Sequence, residues 1–141
     1  MEIIYEINNN NPVIVPTETV YGIISKINKE SISKIYLIKK RSKKKPLTII
    51  INNFNSLENF VLEIPINIKK ILEIFWPGPL TIIFKKKKNE ICNIIGTENT
   101  IGIRMPNHNF LRTILKYTGP LVCTSANISN DIDPISIDCI S

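Results

Sequence analysis

The sequence predicts a single α/β domain in which strands and helices are packed in layers. The chain has 141 residues, of which 43% are hydrophobic, and this length and composition suit one globular core. Short runs rich in β-branched residues alternate along the chain with segments that have helical spacing. We find no internal repeat and no long linker, so residues 1–141 are expected to form one domain. The pattern leaves the order and direction of the strands open.

The first elements follow from the apolar spacing near the N-terminus. Two short apolar runs, 3–7 and 13–16, open the chain and are separated by an Asn-rich turn. Residues 30–40 predict a helix, because three isoleucines fall toward one side of it. Pro46 indicates that this helix has ended by Lys45, since the residue before a proline disfavours helical geometry.

The later elements alternate in the same way. Residues 67–75 predict a second helix, because the apolar residues follow the i, i+3, i+4, i+7 pattern, and the WPGP stretch at 76–79 ends it. A third helix is predicted at 108–117, with His108 at its N-terminus. Apolar and β-branched runs predict strands at 47–51, 80–85, 100–105 and 119–127, the last of which runs into a loop.

Composition and charge narrow the class of partner. A net charge of +6 and a pI near 9.3 suit an anionic partner, whether a nucleotide, RNA or a membrane surface. Cys92, Cys123 and Cys139 are widely spaced and accompanied by one histidine, so a disulfide framework or a protein metal site finds little support. We see neither a signal peptide nor an apolar run of bilayer length, so a cytoplasmic protein that does not use the membrane is expected.

The stretch KKRSKKK, residues 39–45, places six positive charges in seven residues. Such a run is typical of a solvated face, and cations are also favoured at a helix C-terminus by the helix dipole. A third interpretation, a set of phosphate ligands, is supported by its fixed position between a helix end and a buried strand. A second run, KKKK at 85–88, has no such context and is predicted to be a solvated loop.

Three polar groups at strand ends are candidates for binding chemistry. PTETV at 16–20 offers the hydroxyls of Thr17 and Thr19, as a turn or as a polar lip beside a ligand. Arg104 ends an apolar strand, where its planar guanidinium needs an anionic partner. A ligand is favoured as this partner over an internal salt bridge. TSAN at 124–127 is either an ordinary turn or a donor-rich edge for phosphates. A triad hydrolase and a P-loop protein find little support, because neither motif occurs.

Five stretches of the chain occur in a characteristic order. They are PTETVYG (16–22), K-x-R-x-x-x-K-P-L (39–47), WPGPLT (76–81), TIGIRMPNH (100–108) and PLVCTSAN (120–127). This ordered set, spanning about residues 13–129, resembles the YrdC-like threonylcarbamoyl-AMP synthases. The resemblance implies an open, twisted, mixed sheet with flanking helices and a basic concave face. It also implies synthesis of threonylcarbamoyl-adenylate and pyrophosphate from L-threonine, bicarbonate and ATP. A separate transferase then modifies the tRNA adenosine next to the anticodon.

The resemblance assigns side chains to the nucleotide and to the amino acid. Arg41 and Lys45 are expected to carry catalysis at the ATP phosphates, and Arg104 to hold the threonine carboxylate. The residues expected at ATP are Lys39, Arg41, Lys45, Thr100, Ser125 and Asn127. The residues expected at threonine are Thr17, Thr19, Arg104 and Thr124.

The implied chemistry needs no covalent enzyme nucleophile. Threonine's amine attacks bicarbonate to give a carbamate, and a carbamate oxygen then attacks the α-phosphorus of ATP. Catalysis can therefore rest on positioning and on neutralising the charge of the phosphates. Mg²⁺ is expected to be carried by ATP rather than by a dedicated protein site.

The chain departs from the family pattern at several points. Lys40 stands where the family often has glycine, and Ile50 lies near a position where many members carry a histidine that touches threonine. Ser129-Asn130 replaces the usual Ser-Gly. The helix expected before PTETVYG is largely missing and little chain follows residue 129, so modest stability or help from a partner is expected.

Two other functions stay open at this point. An RNA-binding module without turnover is suggested by the basic charge and the extra lysines, and it would bind tRNA or double-stranded RNA through phosphate contacts. The third alternative is a carbamoyl-adenylate site like the YrdC-like domain of hydrogenase maturation factors, which usually lies within a much larger chain.

Overall fold

The computed structural model describes residues 1–40, 42 and 45–126, which form one six-stranded sheet with helices on both faces. The α-helices are α1 (Glu2–Asn8), α2 (Lys29–Lys39), α3 (Ile66–Phe75) and α4 (Asn109–Thr118). The strands are β1 (Val13–Val15), β2 (Gly22–Ser25), β3 (Thr48–Ile50), β4 (Ile82–Lys85), β5 (Thr100–Arg104) and β6 (Leu121–Ser125). Within this described part, no helix combines the length and the apolar character needed to cross a bilayer.

The sheet is mixed, with the strand order β1-β2-β6-β3-β5-β4. β3 and β5 are parallel, and all other neighbouring strands are antiparallel. β6, the last strand in the chain, lies centrally between β2 and β3, so Ser125 pairs with Gly22 and Cys123 pairs with Thr48. This topology brings the starts of β2 and β3 and the end of β6 to one end of the sheet. The α/β class and the mixed sheet with flanking helices are thereby confirmed, whereas the basic concave face stays a prediction.

Alternate residues of each strand contribute to two separate cores, as the period of a β-strand requires. On one face Ile49 and Val122 pack in a cluster that includes residues of α2 and α3. On the other face Ile50 and Leu121 pack against α1 and α4. The short 3₁₀ helix at Phe54–Asn59 adds to the first core.

The predicted elements after residue 29 are found close to their predicted bounds. Each of the three predicted helices begins and ends within a residue of its prediction. All four predicted strand regions contain a strand, and the run at 13–16 contains β1. His108 is the N-cap of α4, as expected at this helix end, and its Nδ1 accepts a hydrogen bond of 3.4 Å from the backbone N–H of Leu111.

The expectation that the helix before PTETVYG is largely missing is wrong. The apolar run at 3–7 lies within α1, which places Ile7 in the second core with no exposed surface. The short apolar run does not by itself indicate a helix, and contact with α4 decides the conformation, because tertiary packing overrides weak local propensity.

The WPGP stretch fixes the approach to β4. The Trp76–Pro77 peptide bond is cis, and the Trp76 indole N–H donates to the Leu80 carbonyl at 2.7 Å. The backbone N–H of Gly78 donates to the carbonyl of Met105 at 2.8 Å, immediately after β5. These contacts tie the start of β4 to the end of β5, where Arg104 lies.

The prediction of a solvated loop at 85–88 is wrong. Lys85 belongs to β4, and Lys86 is buried, with 5% of its surface exposed. The Lys86 ammonium donates to the carbonyls of Cys92 and Ile95 at 2.7 and 2.8 Å. Burial lowers the pKa of Lys86 below its ordinary value. The Lys86 side chain therefore stabilises the loop between β4 and β5 through hydrogen bonds to two of its carbonyls.

Replacing Lys86 with methionine should destabilise the fold by about 1–3 kcal/mol, because two buried carbonyls lose a charged donor. The free energy of unfolding in urea measures this effect. Lys88→Met is the matched control, since Lys88 is exposed, and it should change stability by no more than about 0.5 kcal/mol. Equal stability of the two variants would contradict a structural role for Lys86.

Candidate active site

A cavity of about 200 Å³ opens on the face of the sheet that carries Thr48 and Ile50. Six of its lining residues carry a hydroxyl group and one carries a guanidinium, so the cavity is polar and rich in donors. Its described lining consists of Thr17, Thr19, Val20, Gly22, Thr48, Ile50, Pro79, Thr81, Arg104, Cys123, Thr124 and Ser125.

At one end of the cavity, the lining residues Thr124 and Ser125 contact a buried ammonium group, that of Lys39, which does not itself line the cavity. α2 ends at Lys39, and Lys40 adopts the left-handed conformation with φ of 50°, which favours glycine. Lys39 is 1% exposed, and its Nζ donates to the Ser125 carbonyl at 2.6 Å. The hydroxyls of Thr124 and Ser125 each lie 3.2 Å from the same atom. This contact joins the end of α2 to the end of β6.

At the other end of the cavity, Arg104 forms an ion pair with Glu18. The same carboxylate oxygen, Oε1, accepts the backbone N–H of Asn107 at 3.2 Å. Within the described residues, Oε2 is buried without a hydrogen-bond partner, and the Arg104 guanidinium makes no further hydrogen bond. The internal salt bridge, the less favoured alternative from the sequence, is therefore present. It leaves the other guanidinium N–H groups for a ligand in the cavity that Arg104 lines.

The PTETV stretch is both a turn and a lip of the cavity. Thr17 Oγ1 donates to the carbonyl of Val20 at 2.5 Å and lies 3.1 Å from Thr19 Oγ1. The backbone N–H of Thr19 donates to Thr17 Oγ1 at 3.2 Å. Both hydroxyls line the cavity, so the turn holds them there. The two interpretations of this stretch are therefore compatible.

The other predicted site residues are not in this cavity or lie outside the described residues. Lys45 is exposed, and its carbonyl accepts the hydroxyl of Tyr36 at 2.8 Å. Thr100 begins β5 but does not line the cavity. Arg41 and Asn127 lie outside the described residues, so their predicted contacts with ATP stay predictions.

Several cavity residues were missed from the sequence. Glu18 was considered only as part of a turn, although its charge faces Arg104. Thr48, Thr81 and Cys123 were treated as strand residues, because the face to which they point depends on strand pairing. The alternation within 47–51 could have separated Thr48 and Ile50 from Ile49, but it could not show what lies above them.

Cys123 contributes a thiol to the floor of the cavity. It is 9% exposed, and burial raises its pKa to about 11. The thiol is therefore protonated and uncharged near neutral pH, and it is a weak nucleophile there. Cys123 therefore acts as a small apolar group in the wall of the cavity.

The fold and the cavity define a class of α/β protein with a hydroxyl-rich hollow on a mixed sheet. The chain belongs to the Sua5, YciO and YrdC family, whose model, described as "Telomere recombination", matches residues 6–141. It is 40% identical over 134 residues to a relative from Methanocaldococcus jannaschii, which covers 94% of this chain and 62% of that protein. It is 35% identical over 126 residues to the threonylcarbamoyl-AMP synthase of Pyrococcus abyssi, covering 88% of this chain and 37% of that protein.

A solved structure shows the same architecture. The crystal structure of Pyrococcus abyssi Sua5 complexed with L-threonine superposes with a TM-score of 0.89 at 30% sequence identity. The match covers 98% of this chain and 41% of that one. The chain thus spans less than two thirds of the length of these relatives.

The buried Cys123 thiol predicts a loss of stability at alkaline pH. An unfolded cysteine ionises near 9.0, whereas the folded thiol keeps its proton up to about 11, so the unfolded state gains stability as the pH rises between these values. At pH 10.5 this should reduce the free energy of unfolding by about 2 kcal/mol relative to pH 8.

The Cys123→Ala variant lacks the titrating thiol. Between pH 8 and pH 10.5 its free energy of unfolding should therefore fall by about 2 kcal/mol less than that of the wild type. Urea unfolding of both proteins at pH 8 and pH 10.5 measures the difference. An equal loss in the two proteins would show that the thiol is not buried as described.

Proposed function

We propose that the chain makes threonylcarbamoyl-adenylate and pyrophosphate from L-threonine, bicarbonate and ATP. The observation that carries this proposal is one hydroxyl-rich cavity that Arg104 lines at one end and whose lining residues Thr124 and Ser125 contact the buried Lys39 ammonium at the other. Relatives named threonylcarbamoyl-AMP synthases and a relative solved with L-threonine support the same activity. The chain would then be a nucleotidyltransferase.

The Arg104 end of the cavity suits the amino acid. A guanidinium with one terminal nitrogen on Glu18 keeps N–H groups that match a carboxylate, and such charge-assisted bonds are short and directional. The hydroxyls of Thr17 and Thr19 would face the threonine side chain from the lip. Ile50 contributes an apolar wall close to Arg104, with which it pairs across β3 and β5.

The Lys39 end suits the nucleotide. Its ammonium is held against the end of β6, so Ser125 and Thr124 present their hydroxyls at a fixed distance from a positive charge. This arrangement favours phosphate oxygens, because a preorganised cation costs little reorganisation when the ligand binds. Arg41, Lys45, Thr100 and Asn127 are proposed to complete this side on the basis of the family motifs.

The reaction would depend on the positioning of the substrates and not on a nucleophile from the protein. None of the described residues that line the cavity is a histidine, and the Cys123 thiol is protonated at neutral pH. Threonine's amine and then the carbamate oxygen would be the nucleophiles, which the two cations bring together with the α-phosphate. Mg²⁺ is proposed to arrive with the triphosphate, since it commonly binds substrate phosphates and water with few protein ligands.

The product would require a separate acceptor. A threonylcarbamoyl-adenylate is a reactive mixed anhydride, so we propose that a transferase consumes it to modify tRNA. Direct binding of tRNA or double-stranded RNA was the alternative suggested by the extra lysines. Lys86, one of these lysines, is buried and serves the loop between β4 and β5, which weakens that alternative.

Pyrophosphate release should require ATP, L-threonine and bicarbonate together, and omission of any one should reduce it to background. A coupled pyrophosphate assay measures this requirement. Release that continues unchanged without threonine would refute the proposed activity.

Loss of the Arg104 guanidinium should raise KM for threonine by about 100-fold or more, because the substrate carboxylate loses a charged partner. Arg104→Ala leaves the Glu18 carboxylate buried without its ion pair, so the double variant Glu18→Gln with Arg104→Met removes both charges and tests the same loss in a neutral site. Arg112→Ala is the control, since the Arg112 side chain donates a hydrogen bond to Asn52 and does not line the cavity that the structure describes. Wild-type KM in the double variant would refute the assignment of Arg104.

A further inference from the structure

The cavity floor is organised in rows that run across the sheet. On β5, Thr100, Gly102 and Arg104 share one face, because alternate strand residues point the same way. At about 3.3 Å per residue, Thr100 and Arg104 are about 13 Å apart along the strand, and Gly102 lies midway. Under the proposed function, Ser125 at the end of β6 lies on the nucleotide side of the cavity and Arg104 lies on the amino-acid side. The carbamate that joins threonine to the α-phosphorus must then form above the row of residues between these two.

The row at this midpoint is defined by strand register. Thr48 of β3 pairs with Cys123 of β6, and Gly102 of β5 pairs with Ile83 of β4. Thr48 and Gly102 are neighbours across the parallel pair, because Ile49 pairs with Ile103. A Cβ atom placed on Gly102 would lie 3.8 Å from Thr48 Oγ1, which confirms that both face the same side.

Thr48 supplies a donor that the fold does not use. Its side chain lines the cavity and is half-buried. Among residues 1–40, 42 and 45–126, no group hydrogen-bonds to its hydroxyl, whereas the lip threonines Thr17 and Thr19 bond each other. A hydroxyl held on a strand can donate to an anionic oxygen without reorganisation, and it also accepts a proton donor such as an amine.

We propose that Thr48 forms the subsite for bicarbonate and for the carbamate made from it. The inference rests on the proposed function, since it names the place of the third substrate within the same cavity. The Thr48 hydroxyl donates to one oxygen of the anion inside the cavity that Thr48 lines.

The chemistry at this subsite balances without a further reactant. The neutral amine of threonine attacks the carbon of bicarbonate, a C–N bond forms, and hydroxide takes the proton from nitrogen and leaves as water. The resulting carbamate keeps one negative charge. One of its oxygens then attacks the α-phosphorus, the α–β phosphoanhydride bond breaks, and pyrophosphate leaves with the electron pair. Thr48 contacts a carboxyl oxygen of the anion in both steps.

The surroundings of Thr48 decide from which side an anion reaches its hydroxyl. The space above Gly102 is occupied, since a Cβ atom there would lie 3.2 Å from Ile83 Cδ1 and 3.4 Å from Thr81 Cγ2, so the anion approaches from the cavity that Thr48 lines. The neighbouring Cys123 thiol remains protonated because burial raises its pKa, so it does not repel the anion.

The test is steady-state pyrophosphate release by the whole chain at varied bicarbonate, with ATP and threonine saturating. Thr48→Val keeps the β-branched shape and removes the hydroxyl, so KM for bicarbonate should rise about tenfold or more while KM for threonine and ATP changes less than about threefold. Thr48→Ser restores the donor and should return KM for bicarbonate to within about threefold of the wild type. Thr113→Val is the control on the exposed face of α4, and it should behave as the wild type.

The melting temperature separates site geometry from stability. Thr48→Val should not lower it, because valine keeps the shape of threonine and no described residue loses a hydrogen bond to the hydroxyl. An unchanged KM for bicarbonate in Thr48→Val would refute the subsite while leaving the proposed function intact. A wild-type chain without threonine-dependent pyrophosphate release would refute both.

Discussion

The ion pair between Arg104 and Glu18 is the interaction on which the cavity depends. It joins the end of β5 to the stretch before β2. These strands are the fifth and the second in the order of the sheet, with β6 and β3 between them. A guanidinium that is only 7% exposed would be costly without a partner, so the pair fixes the lip of the cavity as firmly as it fixes Arg104. The carboxylate also holds the backbone N–H of Asn107, which orients the turn into α4. One acidic residue thus sets the relative positions of three segments.

The same strands serve the core and the cavity through their two faces. On β3, Ile49 belongs to one core while Thr48 and Ile50 line the cavity, and on β5 Ile103 is buried while Arg104 reaches the ligand side. A shift of register by one residue would exchange the two sets, so the site is specified as strongly as the core. The described part of the domain buries three cations, Lys39, Lys86 and Arg104, and each has a hydrogen-bond partner. Lys39 reaches β6 only because α2 packs on the opposite face and ends where the sheet ends.

The sequence predicted the elements well because their signals are local. The periodicity of 30–40 and the β-branched run at 47–51 each decide a conformation without reference to the rest of the chain. Contacts between distant residues were not predictable in this way. Lys86 is one of four consecutive lysines and carries no local sign of burial, yet the loop carbonyls around it require a donor. Likewise, Glu18 and Arg104 are 86 residues apart, and only the pairing of the strands makes them neighbours. Family motifs located Ser125 and Lys39, whereas Thr48 lies just beyond the motif that ends at Leu47.

The side chains around the cavity also indicate what kind of catalyst this surface can be. Its hydroxyls belong mostly to threonine and serine residues that are held by neighbouring groups, as Thr17 is by Val20, or that face a cation, as Ser125 faces Lys39. Its thiol keeps its proton near neutral pH. Such groups are poor nucleophiles but good fixed donors, and fixed donors stabilise developing negative charge without reorganisation. A surface of this kind favours a reaction whose nucleophiles belong to the substrates. The condensation of an amine, bicarbonate and a nucleoside triphosphate is a reaction of that type, because each step needs only alignment and charge neutralisation from the protein.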